Sequence, residues 1–378
     1  MAGILAYACH WLRRRGTPLW ARVMVTLLFA AFPFYALWSF TAQKDTLFGG
    51  LTLLFVLQLI DLWREGFEGL KKPLRIIAFA AIAVLMMLLR NNGVYALLLT
   101  LPFAVAWAKG QRVRVAALLA GCVAAYFLAN GALIWATEAT SPCKVEFLSI
   151  PLQQIARTLR ADPAARAQLD TQGVLDVLYP EDCDPAEIYN PMVADPVKWG
   201  TNYDEIDQNL PGLLSLWARM GVTHIKPFAE AFLIQNLPYY LPGAPMLYNF
   251  DLGIVQIDLF TIDEHSYLPQ LRALLEGYDQ TLSLFGLPGV RLLSDTAFYV
   301  WLTLAGFGLA IYRRQKQWLA GFMFLLALWA TCLVGPVAIT RYMLGVFYTV
   351  PVMLAAMLTP AATKPEPETA ALPKAETV

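Results

Sequence analysis

Charged residues are scarce in this sequence, at 15% of 378 residues, whereas 58% of the residues are hydrophobic and the mean hydropathy is +0.52. Soluble domains carry about a quarter charged residues. The scarcity of charge therefore excludes an ordinary soluble protein and indicates that lipid is the solvent for much of the chain. The sequence also lacks the arrangement of a secretory signal, in which basic residues precede the apolar region. Here Arg13, Arg14 and Arg15 follow the apolar segment 1–12. We expect an interfacial helix there.

Histidine and cysteine are rare, with three and five copies. No CxxC or HExxH spacing occurs, which excludes the commonest zinc-site patterns, and His224 and His265 are too isolated to be predicted as ligands. Two of the cysteines, Cys143 and Cys183, lie in the polar middle of the chain. An oxidising compartment would permit a disulfide between them, and two unpaired buried thiols are the alternative.

Long apolar stretches are abundant, and a helix needs roughly 20 mostly apolar residues to cross a bilayer. We predict about eight transmembrane helices, and hence an all-α polytopic membrane protein. The predicted spans are 22–40, 46–63, 74–89, 93–108, 115–135, 296–312, 317–335 and 341–358. Some of these stretches are short for a span, so one of them could be a re-entrant or buried segment instead.

Basic residues alternate between the connections that join these spans. One set of connections carries 14 Lys and Arg residues, and the other set of short connections carries three. The richer set contains Arg13, Arg14, Arg15, Arg22, Arg64, Lys71, Lys72, Arg75, Lys109, Arg112, Arg114, Arg313, Arg314 and Lys316. Because short basic loops stay in the cytoplasm, we expect both termini to be cytoplasmic, in a bacterial plasma membrane.

The long connection 136–295 then falls outside the cell, and it holds 21 acidic against 9 basic residues. The predicted organisation is a cytoplasmic or interfacial segment 1–21, five spans in 22–135, an acidic extracytoplasmic domain 136–295, three spans in 296–358 and a disordered cytoplasmic tail 359–378. Apolar residues at helical spacing predict a mostly helical external domain. Its helices are expected from Ser149 onward and near 163–178, 211–220, 225–236 and 266–285. The run 236–242, rich in Pro and Tyr, is expected at the membrane interface.

Candidate functional residues are polar or charged side chains in or beside the predicted spans, where their burial costs free energy. The predicted spans hold no ionisable residue near their centres, which argues against an ion pump. Three cations instead emerge at the predicted outer surface, in the segments Lys44-Asp45, Arg90-Asn91-Asn92 and Arg341-Tyr342. Arg side chains there are suited to an anionic lipid head, because they donate charge-assisted hydrogen bonds to phosphate. The alternative is that these side chains anchor helix ends by snorkelling.

Several segments resemble a bacterial family of multi-spanning proteins of unassigned function, over about residues 30–350. They are Pro33 with 44–48 (KDTLF), 90–95 (RNNGVY), 149–157 (SIPLQQIAR), 189–191 (YNP) and 195–198 (DPVK). That family is similar in layout to the membrane glycosyltransferases of the GT-C fold. The resemblance implies transfer of a sugar from a polyprenyl-phosphate carrier to an acceptor outside the membrane, with a carboxylate of the first external loop as base or metal ligand.

The first external connection departs from this plan, since it is only a few residues around Lys44 and Asp45. The family's opening span and the long acidic loop behind it have no counterpart, and the usual catalytic carboxylate is missing with them. Three explanations stay open: a truncated gene model, an enzyme that uses another acid such as Asp45 or Asp195, and a non-catalytic relative. Asp195 has a structural explanation too, because Asp-Pro initiates turns.

The expected function is that of a glycosyltransferase-like protein acting on polyprenyl-phosphate-linked sugars. Its phosphate-binding candidates are Lys44, Arg90, Asn91, Arg341 and Tyr342, its catalytic candidates are Asp45 and Asp195, and its external-domain candidates are Gln153, Gln154, Arg157 and Lys198. A divalent metal is left open as a cofactor. The expected partners are membrane lipid, the carrier and a glycan or protein acceptor, with no nucleic acid. The alternative is a non-enzymatic membrane component that binds a lipid-linked glycan or a partner protein.

Overall fold

The computed structural model describes residues 1–41, 43–139, 144–245, 266–281 and 289–359. These residues form helices joined by turns, with isolated β-bridges and no β-strand, so the all-helical prediction is confirmed for the described part of the chain. Cys143 and the predicted tail beyond residue 359 lie outside the described residues, and the predictions made for them stay predictions.

Seven helices precede the external domain and three follow it. The first group is α1 (Ala2–Arg14), α2 (Leu19–Ala31), α3 (Pro33–Phe40), α4 (Lys44–Arg64), α5 (Pro73–Leu89), α6 (Asn92–Trp107) and α7 (Arg112–Thr137). The middle group is α8 (Ser149–Ala161), α9 (Ala164–Leu169), α10 (Val174–Leu178), α11 (Asp195–Trp199), α12 (Tyr203–Thr223), α13 (Ile225–Gln235) and α14 (Pro269–Thr281). The last group is α15 (Thr296–Tyr312), α16 (Lys316–Cys332) and α17 (Leu344–Met357).

Three of the described helices are long and apolar enough to cross a membrane. They are α4, α7 and the segment Thr340–Met357, in which a short 3-10 turn leads into α17. A fourth candidate is the pair α2 and α3, which is bent by 55° at its break. The break has a local cause, because Pro33 disfavours helical backbone at the preceding residue and Phe32 is accordingly extended. The apolar helices α5, α6 and α15 are shorter.

The N-terminal helix α1 packs into the bundle beside α4. A side chain added at Gly50 would meet the Met1 sulfur at 2.7 Å, and the Trp11 indole nitrogen donates to Asp61 at 3.0 Å. Between these two contacts, both helices advance by about the same number of residues towards higher residue numbers. Helices α1 and α4 therefore run in the same direction. Leu5, Ala8 and Trp11 are buried in this packing. Helix α1 thus lies alongside α4, and its predicted position at the membrane interface stays a prediction.

Small residues allow the helices of the bundle to approach closely. A Cβ at Gly345 in α17 would lie 2.8 Å from Thr52 of α4, and a Cβ at Gly49 of α4 would lie 2.9 Å from Tyr348 of α17. In lipid, such close van der Waals packing replaces the hydrophobic effect as the force that holds helices together. The first turn of α4, which holds Asp45, and the turn before α17, which holds Arg341, are therefore held at short range.

The middle part of the chain, which we call the external domain after its predicted location, is a helical layer with its own apolar core in the described residues. The apolar side of α8, with Leu152 and Ile155, packs against Leu213 and Leu216 of α12. The predicted helix at 163–178 is interrupted between α9 and α10, where Gly173 adopts a left-handed backbone. The helix predicted at 211–220 begins earlier, at Tyr203, because the Asn202 side chain caps it.

The external domain is seated on the connection between α16 and α17. The Ala194 backbone N–H donates to the Pro336 carbonyl at 2.8 Å, and Gln235 Nε2 donates to the Gly335 carbonyl at 2.7 Å. Tyr239 is fully buried at this seam, and its hydroxyl accepts from the Ile339 N–H at 3.2 Å. The run 236–242 was expected at the lipid interface, but at Tyr239 it fills the contact between the external domain and the bundle instead.

Candidate functional site

The ends of α4 and α5 bring two of the predicted site residues into an ion pair. Arg90 follows the last residue of α5 in extended backbone, which turns its side chain away from the helix axis. Its Nη1 lies 2.5 Å from Asp45 Oδ1, in the first turn of α4. The two side chains are 12% and 7% exposed. This pair is shielded from solvent, so removing one partner leaves the other charge buried.

Arg341 approaches the same carboxylate from the turn that precedes α17. Its Nε lies 3.7 Å from Asp45 Oδ2, and its side chain is 39% exposed. The ring of Tyr342 lies beside both cations, with its centroid 4.0 Å from Arg90 Cζ and 5.4 Å from Arg341 Cζ. Such cation–π contacts favour cations over a phenol ring. Two segments that are remote in sequence, one with Arg90 and one with Arg341 and Tyr342, thus converge around Asp45.

Amide side chains connect this group to neighbouring helices. Arg90 Nη2 donates to Asn92 Oδ1 at 3.5 Å, and Asn92 Nδ2 donates to Thr331 Oγ1 at 2.9 Å. The Tyr126 hydroxyl donates to Asn91 Oδ1 at 3.1 Å. Tyr126 lies on α7 and Thr331 on α16. Sequence reasoning missed both residues, although a side chain with a hydroxyl group inside an apolar helix is a usable signal.

The group carries more positive than negative charge. Arg90 and Arg341 face one carboxylate, and the Arg341 Nε is buried without a hydrogen-bond partner. An unpaired buried donor is costly, and an incoming anion would satisfy it. Lys44, also predicted for this site, is exposed, and the described residues show no ion pair for it. We call Asp45, Arg90, Arg341 and Tyr342 the arginine cluster.

The external-domain candidates serve packing within that domain. Gln154 Nε2 donates to the Phe228 carbonyl at 3.2 Å, and its Oε1 accepts from Trp217 Nε1 at 2.7 Å. Gln153 is fully buried and donates to the Asn190 carbonyl. Arg157 pairs with Glu230 at 2.6 Å. The described contacts of these three residues therefore tie α8 to its neighbours, and none of these contacts reaches the arginine cluster.

Lys198 forms a second buried ion group, with two carboxylates. Its Nζ lies 2.9 Å from Glu146 Oε2 and 2.9 Å from Asp195 Oδ1. Burial lowers the pKa of Lys198, but the hydrogen bonds to Glu146 and Asp195 outweigh it, so the pKa is raised above its ordinary value. Asp195 begins the short helix α11 and is held by a cation three residues later. Such a carboxylate is engaged in structure and is poorly placed to take up a proton from an acceptor.

The described residues give no group of three or more His, Cys, Asp or Glu side chains arranged to hold a metal ion. Cys183 carries a free thiol, and its predicted partner Cys143 lies outside the described residues. The thiol pKa of Cys183 is raised, by burial first and then by Asp182 and Asp184. A thiol of this kind is a poor nucleophile near neutral pH.

The sequence of the whole chain matches one described family. Residues 1–371 match the family described as "Family of unknown function (DUF6020)". The chain belongs to this family. No curated protein and no solved structure matches the chain. The DUF6020 family carries no assigned activity, so the likeness to GT-C glycosyltransferases stays a prediction.

Proposed function

We propose that this DUF6020 protein is a polytopic protein of the bacterial plasma membrane with about eight transmembrane helices and a GT-C-like layout. Each of the eight predicted spans coincides with a described helix or helix pair, from α2 with α3 to α17. The alternation of basic connections supports an external domain outside the cell. The same alternation of basic connections underlies the proposal that both termini are cytoplasmic.

We further propose that the arginine cluster binds the phosphate of a polyprenyl-phosphate-linked saccharide at the outer end of the bundle. One observation carries this proposal: Arg341 is partly exposed, and its Nε has no hydrogen-bond partner beside an already paired Asp45. Arg90 is the inner, neutralised member, so Arg341 is the cation available to a phosphate. The isoprenoid tail would lie along the apolar helices, and the saccharide would face the external domain seated above.

Binding without turnover is the function that the geometry supports best. Both oxygens of Asp45 face arginines, and Asp195 pairs with Lys198. Neither carboxylate is placed as a free general base, which has to accept a proton from the acceptor hydroxyl. Glycosyl transfer is the second candidate, because the segments that carry the resemblance around Asp45 and Arg90 meet at the arginine cluster. A divalent metal would belong to that second candidate.

The test compares Arg341→Gln with the wild type for binding of polyprenyl phosphate in lipid nanodiscs. We expect binding to weaken about tenfold or more, since a hydrogen bond to a charged group contributes about 1.5–3 kcal/mol. Arg341→Lys should keep part of the affinity, because it retains the charge and loses the planar fork. Incubation with a polyprenyl-phosphate-linked sugar and an acceptor then separates binding from turnover.

Arg291→Gln is the matched control, since Arg291 is an exposed arginine just before α15 and, among the described residues, donates to the Gly243 backbone carbonyl at 3.5 Å. Its affinity for polyprenyl phosphate should equal that of the wild type. Equal affinity of Arg341→Gln and the wild type would contradict the proposed phosphate site. It would leave the arginines as anchors of helix ends.

A further inference from the structure

A cavity of about 510 Å³ lies at the opposite end of α4 from the arginine cluster. Its polar side is formed by four arginines from three different segments of the chain: Arg14 and Arg15 at the end of α1, Arg64 at the end of α4 and Arg75 in α5. Two carboxylates, Asp61 and Glu65, are the acidic lining residues. The cavity therefore has two more arginines than carboxylates, and it has the size of a small-ligand site.

Both carboxylates of this cavity are already paired. Asp61 accepts from Trp11 Nε1 at 3.0 Å and forms an ion pair with Arg15, and Glu65 forms an ion pair with Arg75. Arg14 and Arg64 are exposed, and within the described part of the chain neither forms an ion pair.

Arg15 lies between its partner Asp61 and the like charge of Arg64. Burial, and then the nearby charge of Arg64, lowers the pKa of Arg15 to about 10. An anion bound in the cavity would offset the repulsion between Arg15 and Arg64.

The remaining wall of the cavity is apolar and faces a surface suited to lipid. Leu70, Ile76, Phe79 and Leu118 line it, from the α4–α5 connection, α5 and α7. Beside Ile76, the α5 side chains Leu74 and Ile77 are 78% and 62% exposed. A free inorganic ion gains nothing from an apolar wall, whereas a lipid can place its head group on the arginines and its acyl chains against these residues.

We propose that this cavity binds the phosphate head group of an anionic phospholipid, such as phosphatidylglycerol or cardiolipin. This site is distinct from the arginine cluster. Its assignment to the cytoplasmic leaflet rests on the proposed membrane orientation, whereas the binding itself does not. A lipid held here bridges α1, α4 and α5, and so it ties the N-terminal helix to the bundle.

The test measures lipid retention by the full-length protein in mild detergent, with native mass spectrometry, after addition of cardiolipin, phosphatidylglycerol or phosphatidylcholine. The double variant Arg14→Gln/Arg64→Gln removes the two unpaired cations and leaves both ion pairs intact. We expect the wild type to prefer the anionic lipids, and the double variant to bind them about 30-fold more weakly. Arg14→Lys/Arg64→Lys should restore most of the affinity.

Arg112→Gln/Arg114→Gln is the matched control, because these two arginines are exposed at the start of α7 and do not line the cavity. It should bind cardiolipin as the wild type does, and so should Arg341→Gln, which separates this site from the proposed function. Undiminished cardiolipin binding by Arg14→Gln/Arg64→Gln would overturn the proposal. Equal retention of phosphatidylcholine, or full competition by millimolar inorganic phosphate, would also overturn the assignment to an anionic lipid.

Discussion

The role of Asp45 depends on the side chains that surround it. It was predicted as a catalytic acid, yet it is 7% exposed and faces Arg90 at 2.5 Å and Arg341 at 3.7 Å. A carboxylate in this position neutralises the charge of the neighbouring arginines. Its replacement would therefore act first on Arg90 and Arg341. Arg90 is correspondingly a structural cation, while Arg341 keeps an exposed side and an unpaired nitrogen.

A double-mutant cycle on Arg90 and Asp45 tests this division of roles. Arg90→Met should lower the free energy of unfolding by about 3 kcal/mol, because buried Asp45 then keeps only the longer contact with the partly exposed Arg341, at 3.7 Å. Arg90→Met/Asp45→Leu should be less destabilised than Arg90→Met alone, since the buried charge is gone. Thermal denaturation in detergent provides the comparison. Additive effects of the two substitutions would show that the pair is not coupled.

Lys198 should make the stability of the external domain depend on alkaline pH. Its pKa is raised in the folded state, so its contribution is complete below the unfolded value of about 10.4 and is lost as pH rises through the folded value. Lys198→Met leaves Glu146 and Asp195 without their cation. Because Glu146 is 52% exposed, the expected loss at neutral pH is discounted to about 2 kcal/mol.

The readout for Lys198 is the midpoint of thermal unfolding from pH 7 to pH 11, for the wild type and Lys198→Met. The gap between the two proteins should be constant up to about pH 10.4 and narrow above it. Lys226→Met is the control, because Lys226 is almost fully exposed and lies 3.9 Å from Glu230. A gap that does not change across this range would assign the effect of Lys198 to packing alone.

At the scale of elements, the position of each helix in the bundle depends on a few close approaches. Gly306 and Gly308 lie two residues apart on α15 and have opposite surroundings. A Cβ at Gly306 would lie 2.4 Å from the buried ring of Phe322 on α16, whereas a Cβ at Gly308 meets nothing within 4 Å. Gly306 thus tests the packing between α15 and α16, and Gly308 on the same helix is its control.

We expect Gly306→Val to lower the free energy of unfolding by about 3 kcal/mol, because the ring of Phe322 is fully buried and has no space to move. Gly308→Val should be neutral or slightly stabilising, since Val is a better helix former than Gly. Thermal stability and the yield of monodisperse protein in detergent are the measurements. Equal effects of the two substitutions would mean that α15 and α16 do not pack at this distance.

For the whole molecule, the orientation in the membrane is the property with most consequences. Cysteine labelling in intact cells tests it, in a background without native cysteines. Trp199→Cys should react from outside, and Glu68→Cys and Gln315→Cys should not. Trp199 is preferred to Gly200, because Trp199 is exposed and a side chain at Gly200 would meet the Ile188 side chain at 2.7 Å. Reaction of Glu68→Cys or Gln315→Cys from outside would contradict the assigned orientation. It would also exchange the leaflets assigned to the two proposed sites.

Helix content was predictable because it depends on local sequence. Apolar runs of the right length placed α4, α7 and α17 to within a few residues. The helix predicted at 211–220 begins earlier, at Tyr203, where the Asn202 side chain caps it. A single cap or proline moves a boundary without changing the element.

The sequence by itself determined the helical class, the apolar stretches, the alternation of basic loops and the presence of arginines at positions 90 and 341. Only the tertiary structure decided which charges meet. The arginine cluster joins residues 45, 90 and 341, and the cavity at the other end of α4 joins residues 15, 61 and 75. Hydropathy sets where a helix lies along the chain, but the rotation and neighbours of each helix follow from packing between distant segments. Whether an arginine is neutralised or free to bind an anion depends on that packing.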